Sequence, residues 1–441
     1  MNAGKGSRGF TLPEVKTFLL GNGLKVHAVP KPELPLLEIH FVFPFGAEAD
    51  PAGKGGLADF MAEMLTLGTQ KRPAAQLAVD VDALGATLSA YSGWDSTVLH
   101  IAGLSEDWER LMELLVEIYT QPAFAGQEFD QLQKRRMAAL VQQKDESPVT
   151  ADERFQEVLF QGTPYDHPVY GTLDSVPHLS CEEAEEFYRR RSSSEGGFLV
   201  VAGNFPEEAC SRWAEANFPS LTEVPPVQGK DFSPAYPGRA RTIFINRPDL
   251  TQSQIRLGHI GIHHAHPDFL PFEVMNYALG GGGFSSRLMQ KIRSDLGYTY
   301  GIRAALEPRK RPGPFVISTF TPTATTFPCV QEILTVVRSF IAQGATDQER
   351  SEAVNFLTGS YPLRFETLSQ IAQRIIQAEV HGLGLGYLAA YPERVEAVTR
   401  EEMTHAGKEH LHPEEMLLLI VGRAANFREE FEHLGAVEIR E

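Results

Sequence analysis

Cysteine is scarce in this chain: Cys181, Cys210 and Cys329 are the three in 441 residues, far apart and without paired spacing. That excludes a disulfide framework and a thiolate metal centre. Basic charge is also short, with 40 Lys and Arg against 57 Asp and Glu and a formal net charge of −17. Such a balance argues against a phosphate-backbone partner. No apolar run approaches the roughly 20 residues that a bilayer span requires. The N-terminal stretch MNAGKGSRGFTLPEVKTF lacks the apolar centre of a signal peptide. A cytoplasmic location is expected, with a periplasmic one open if the N-terminus was processed or trimmed.

What is present is globular in character, 42% hydrophobic and 22% charged. The length implies two domains of about 200 residues each. The Pro-rich stretch PPVQGKDFSPAYPG, 225–238, is the linker candidate, dividing the chain into 13–224 and 239–441. On either side of it the chain repeats itself. SVPHLSCEEA, from Ser175, and RVEAVTREEM, from Arg394, place Val, an aliphatic residue, a hydroxyl residue and Glu-Glu in register. Each is followed by a helical stretch and a strand ending in Gly, FLVVAGN and LLLIVGR. The beginnings correspond as well. KTFLLGNGLKVHAVP with LLEIHFVFPFG reads as two strands, and so does RTIFINRP with SQIRLGHIGI. Long amphipathic helices lie between, so the expected fold is two similar α+β domains.

Several stretches carry residues suited to chemistry. GLADFMAEM, Gly56 to Met64, opens an amphipathic helix whose apolar stripe is Leu57, Phe60, Met61, Met64 and Leu65. Asp59 and Glu63 share one face and repel slightly, with Ala62 beside Glu63. FSSRLMQKIRSDLGYTYG follows four glycines, Gly280 to Gly283. Ser285 or Ser286 is placed to cap a helix that Leu296-Gly297 closes, and Tyr298-Thr299-Tyr300 alternates like a strand. The glycine run has no Lys in a P-loop position, so it reads as a hinge or tight turn. LGATLSAYSGWDSTVLHIAG reads as two strands around a turn at Ser92-Gly93. Among fourteen histidines the one dense cluster is His263, His264 and His266, which reads as a surface loop before Pro267.

The first of these stretches resembles the metal-binding helix of the pitrilysin/insulinase-like (M16) metallopeptidases, written G-L-A-H-F-x-E-H-M and followed by G-T. Gly56, Leu57, Ala58, Phe60, Met64, Gly68 and Thr69 match that frame. The family's two zinc-binding histidines fall on Asp59 and Glu63, and its general-base glutamate on Ala62. A hydrolytic zinc wants nitrogen ligands, an open position and a carboxylate base. Two hard oxygen ligands and a methyl group supply none of these. The family's further ligand is a glutamate roughly 75 to 80 residues on. From Gln133 through Lys144 there is no acidic residue, and Leu140 or Ala139 falls nearest that place. Asp59 and Glu63 could still hold a hard cation weakly through water, or be ordinary surface charges. The expectation is that this chain binds no catalytic zinc.

The second stretch is similar to the family's second domain, where glycines and S-S-R-L precede R-x-x-x-G-x-x-Y. Arg293, Gly297 and Tyr300 reproduce that spacing, with Tyr298 as the alternative phenol. The resemblance implies that Arg293 and Tyr300 bind a substrate carbonyl and its oxyanion, with Gly281 and Gly282 at the substrate; Arg287 is expected to be structural. Without the resemblance, the pair reads as a helix-end cation and a strand aromatic. It also implies an edge strand at Ser89-Ala90 that takes up the substrate backbone.

Family architecture is two homologous domains of mixed or antiparallel sheet with helices on one face, forming half of a clam-shell. The function implied is a zinc-free, non-catalytic subunit that pairs with a related chain bearing H-x-x-E-H. Zinc is then expected in the partner, and peptides as substrates. Two alternatives stay open: a peptide-binding or scaffold protein, and a stand-alone peptidase with an unusual metal site.

Overall fold

The computed structural model describes residues 11–192, 196–220, 240–424, 428–433 and 435–440. The linker placed at 225–238 lies outside these residues. The first half builds a six-stranded sheet from β1 (Lys16–Leu19), β2 (Lys25–Pro30), β3 (Leu36–Phe43), β4 (Thr87–Ser92), β5 (Thr97–Leu104) and β6 (Phe198–Gly203). The second half builds another from β7 (Arg241–Asn246), β8 (Gln252–Ile260), β9 (Ile302–Leu306), β10 (Pro314–Pro322), β11 (Leu417–Gly422) and β12 (Ala436–Arg440). KTFLLGNGLKVHAVP, expected as one strand, is a hairpin of β1 and β2, because Gly23 takes a φ of +83° and Leu20 N–H bonds Leu24 O.

The strand orders are β1-β2-β6-β3-β5-β4 and β12-β7-β11-β8-β10-β9. Five positions are equivalent, including the parallel pairs β2–β6 and β7–β11. The sixth strand comes from the start of the chain in one sheet and from its end in the other. This is a duplication, and the repeated sequence signal has a physical basis. Ser180 and Glu183 form a capping box at the helix Cys181–Arg191, and Thr399 and Glu402 form one at Arg400–His410.

Alternation along the strands gives each sheet two apolar faces. Leu37, Ile39, Phe41 and Phe43 pack beneath the first half's own helices, with Phe41 against Tyr119 and Phe218. Val29, Val42, Val98, Phe198 and Val200 point the other way. There the helix Leu368–Val380, from the second half, lies across β6 and β3. Reciprocally, the helix Ser147–Leu159 of the first half lies on β8 and β11, and its Ala151 and Phe155 pack with Ile243, Ile245, Leu419 and Val421. The halves are interlocked by exchanged helices. Polar contacts fasten each exchange: Lys25 to Glu379 at 2.8 Å, Ser369 to Glu38 at 2.6 Å, and Arg256 to Asp152.

Burial of the thiols pushes Cys181 up to about 11 and Cys210 and Cys329 up to about 12, so all three free cysteines are poor nucleophiles. Among the described residues no helix is long and apolar enough to cross a membrane.

The interlock is testable. Phe155→Ala removes a fully packed ring and is expected to cost about 3–4 kcal/mol in urea unfolding. The same change should raise amide hydrogen exchange in β7 and β11, in the other half of the chain. Protection there equal to wild type would refute the exchange.

Candidate functional site

The helix Leu57–Leu65 starts at Gly56, whose φ of +98° and close approach to the Gly171 backbone leave no room for a Cβ (2.9 Å to Cα). Asp50 caps it from a distance, accepting N–H bonds from Gly56 at 2.8 Å and Ala58 at 2.7 Å. Packing fixes the rest, since Leu57, Ala58, Phe60, Met61, Met64 and Leu65 are all buried. Asp59 and Glu63 therefore project on a rigid frame. Asp59 is 2% exposed, whereas the Glu63 side chain is about a third exposed.

Both carboxylates are met by one residue, Arg136. Its Nη2 donates to Asp59 Oδ2 at 2.6 Å and to Glu63 Oε1, and its Nη1 donates to Tyr170 O at 3.0 Å. The guanidinium lies 5.2 Å from the Phe60 ring centroid and 5.3 Å from that of Tyr170, so aromatic faces also hold it. Burial pushes the Asp59 carboxyl above its ordinary value; Arg136 pulls it down and Glu63 adds to the rise. Asp59 Oδ1 also accepts from Ser92 N–H at 3.4 Å. Ala62 is fully buried and brings no base.

Arg136 lies on the helix Gly126–Gln143, 77 residues from Asp59. It, and not Leu140 or Ala139, is the residue that reaches the two carboxylates. Leu140 is buried in the core, and Gln133, one turn before Arg136, donates to Val176 O and Leu179 O. The sequence reading sought an acid at this spacing and so passed over a base. Chemically the arrangement is a closed ion-pair triad. It has no imidazole and no proton acceptor at Ala62, and Arg136 takes one oxygen of each carboxylate.

In the second half, Gly280 packs against β9, where a Cβ would lie 2.6 Å from that of Ala304. The glycine run thus continues a wide helical turn over 277–281, and Gly281 and Gly282 belong to the framework of that turn. Neither Ser285 nor Ser286 caps the next helix. Their hydroxyls donate to Gly282 O and Gly283 O at 2.9 and 2.7 Å. The helix ends as expected at Gly297, whose φ is +65° and whose N–H bonds Arg293 O, while Tyr298 N–H bonds Ile292 O. Tyr298 to Tyr300 is irregular, and the strand begins only at Ile302. Tyr298 packs on the core. Arg293 lies 4.4 Å over the Phe284 ring and Tyr300 is 81% exposed. Among the described residues, neither makes a hydrogen bond or ion pair with the other or with the Asp59 triad.

Ser89 and Ala90 lie on β4, an edge strand as expected, paired on one side only with β5. The histidine cluster is not simply a surface loop. His264 turns inward to His381, Nδ1 to Nδ1 at 2.7 Å, and burial and the charges of His381 and Arg374 push it down to about 3. His266 instead lies beside Asp268 and His410.

Arg136→Ala should cost about 3 kcal/mol, because it leaves Asp59 buried without its cation. The pH dependence has a definite sign. An acid whose folded pKa is raised loses stability as pH rises above its unfolded value, and removing Arg136 raises the folded value further. The deficit of the variant should therefore shrink as pH falls from about 8 to about 5. Chemical denaturation at several pH values measures it, and a deficit that grows on acidification would contradict the triad.

The sequence profile described as Insulinase (Peptidase family M16) matches residues 31–173, and that described as Peptidase M16 inactive domain matches 178–357. An uncharacterized zinc protease of Rickettsia bellii is 29% identical over 68% of this chain and 71% of its own. A protein named non-peptidase homolog YmxG, from Helicobacter pylori, is 25% identical over 88% of this chain and 89% of its own. In fold, the solved peptidase M16 inactive domain from Pseudomonas fluorescens superposes with a TM-score of 0.84 at 24% identity, covering 93% of this chain and 98% of that one. A protease from Helicobacter pylori gives 0.85 at 17% identity, covering 93% and 100%. With both profiles matched along its length, the chain belongs to the M16 peptidase family, as a member without the H-x-x-E-H motif.

Proposed function

We propose that this chain is the zinc-free, non-catalytic subunit of an M16-type metallopeptidase, paired with a related chain whose H-x-x-E-H motif is intact. The observation that carries this reading is Arg136 bridging Asp59 and Glu63, beside Ala62. A guanidinium cannot be shed, cannot polarise a water as a metal does, and leaves nothing for a substrate to coordinate. Hydrolysis must come from elsewhere, and the zinc belongs to the partner. The name of the Helicobacter pylori relative, non-peptidase homolog, is in line with that.

Arg293 and Tyr300 supply the positive side of the proposal. Their side chains are left without hydrogen-bond partners among the described residues, and Tyr300 projects into solvent. In the assembled pair they would donate to the substrate carbonyl and the oxyanion formed on it. The edge strand β4, with Ser89 and Ala90, would receive an extended peptide by main-chain pairing. A purely scaffolding role is the second reading, favoured by the same closed triad.

Co-expression with an H-x-x-E-H-bearing M16 chain from the same source separates the two. The expected result is a co-purifying pair that hydrolyses peptides, while this chain alone does not. In that pair, Arg293→Ala or Tyr300→Phe should lower kcat by roughly 100-fold without loss of co-purification. Failure to pair, or pairing without added hydrolysis, refutes the proposal. Full activity in both variants transfers the chain to the scaffolding role.

A further inference from the structure

The second half holds a cavity of about 140 Å³ that neither the Asp59 triad nor Arg293 and Tyr300 line. Its charged and aromatic walls come from separate elements. Glu273 belongs to the helix Phe269–Asn276, Tyr361 and Arg364 to the short turn Tyr361–Phe365, and Arg374 to the exchanged helix Leu368–Val380. Tyr387 and Tyr391 belong to the helix Leu385–Ala397. Tyr361 and Tyr391 stack with centroids 4.4 Å apart, and Tyr387 stands edge-on to Tyr391 at 6.1 Å. Leu383 and Leu388 extend the apolar part of the wall. An engineered void of about 150 Å³ takes up benzene, so the space suits one small ring.

Charge in this cavity is unbalanced. Arg364 lies 5.6 Å from the Tyr361 and Tyr391 ring centroids, and Arg374 Nη1 donates to Gln377 Oε1 at 2.9 Å. Among the described residues neither guanidinium has a carboxylate within ion-pair distance. The one acid in the wall, Glu273, already accepts a hydrogen bond from Tyr391 Oη at 3.0 Å. Burial pushes its carboxyl up towards the neutral form, against the pull of Arg364, Tyr391 and Arg374. Burial, and then the charge of Arg364, push Arg374 down.

Two donors are also left over. The buried Nε of Arg374 and the buried Oη of Tyr387 have no hydrogen-bond partner. Buried polar groups are ordinarily paired, and the cost of leaving one unmade is greatest for a charged group. Stacking does not serve instead, because it uses the flat face of a guanidinium and leaves the donors on its edge open. Elsewhere the chain gives such arginines an acid: Arg136 has Asp59 and Glu63, Arg256 has Asp152, and Arg287 has Glu349. Arg364 and Arg374 lack the anion that those three have.

We propose that this cavity binds a small organic carboxylate of about benzoate size, its oxygens held by Arg364, Arg374 Nε and Tyr387 Oη and its apolar body against the tyrosine rings. Inorganic phosphate would meet the same donors but leave the apolar wall uncovered. Arg374 lies on the exchanged helix, so a bound carboxylate fastens that helix to Leu385–Ala397 and stabilises the interlock.

The test titrates the full chain with sodium benzoate, and in parallel with benzamide and inorganic phosphate, by calorimetry and thermal unfolding. One equivalent of benzoate should bind and raise Tm. Benzamide, neutral and of the same shape, should bind at least ~10-fold more weakly. Arg374→Gln and Tyr387→Phe should each weaken benzoate binding by at least ~10-fold, with circular dichroism unchanged. Tyr387→Phe removes a hydroxyl that has no partner in the fold, and it carries the test if Arg374→Gln impairs folding. No saturable benzoate binding overturns the proposal. So does benzamide binding as tightly as benzoate, benzoate binding that survives both variants, or binding of phosphate without binding of benzoate.

Discussion

Neither sheet can cover both of its faces with helices from its own half, and this constraint organises the molecule. Val29, Val42, Val98 and Val200 on one sheet, and Ile243, Ile245, Leu419 and Val421 on the other, would face water without the exchanged helices. Contacts between domains of one chain are commonly small and polar enough to permit relative motion. Here the contact is a completed core. Lys25–Glu379, Ser369–Glu38 and Arg256–Asp152 then set the register of each helix, since apolar burial alone is indifferent to small slides. The candidate site residues are carried on this frame. The edge strand β4 touches the helix Leu57–Leu65 through Ser92 N–H and Asp59, and its Ser89 lies against His100 of β5.

At the degenerate site the signs of charge have been exchanged. The family arrangement sets two neutral imidazoles and a carboxylate around a divalent ion. This chain sets two carboxylates around a guanidinium. Either way a cation lies between the two helices, so the attraction that holds them together persists. A buried ion pair is seldom a large net gain over apolar packing, since desolvation offsets the Coulomb attraction. Removing one partner is a different matter, because it strands the other. Arg136 is therefore committed by Asp59, just as Asp59 is by Arg136. Stacking on Phe60 and Tyr170 covers the faces of the guanidinium that carry no donors.

Much of the fold was legible because its signals are local. Strand alternation, the glycines ending β6 and β11 and the S/T-x-x-E capping boxes all act within a few residues, and the duplication wrote each of them twice. Topology lay further off. The exchange of helices joins residues far apart in the chain, and no periodicity within Ser147–Leu159 says which sheet will cover Phe155. The same distance hid Arg136, whose spacing from Asp59 fitted but whose charge was opposite to the one sought. Glu38 and His40 form an unremarkable alternation in LLEIHFVF until β5 brings His100 across the sheet. Tyr298 to Tyr300 alternated like a strand, yet the Gly297 turn and the bond from Tyr298 N–H to Ile292 O hold it out of β9.

Resemblance to a peptidase and absence of the H-x-x-E-H motif coexist because they live on different atoms. The frame residues around Asp59 are the buried ones, Leu57, Ala58, Phe60 and Met64, and any change there opens a cavity or a clash. Ligand positions obey another rule: they must only agree with one another. Once the imidazoles are gone, two carboxylates and an arginine satisfy that agreement as well as two histidines and a metal do. A likeness measured along the chain therefore reports packing, which changes slowly, and is nearly blind to a coordinated exchange at three or four chemical positions. In this protein the activity has to be argued from Asp59, Ala62, Glu63 and Arg136 themselves, and those four form an ion-pair cluster without an imidazole or a base at Ala62.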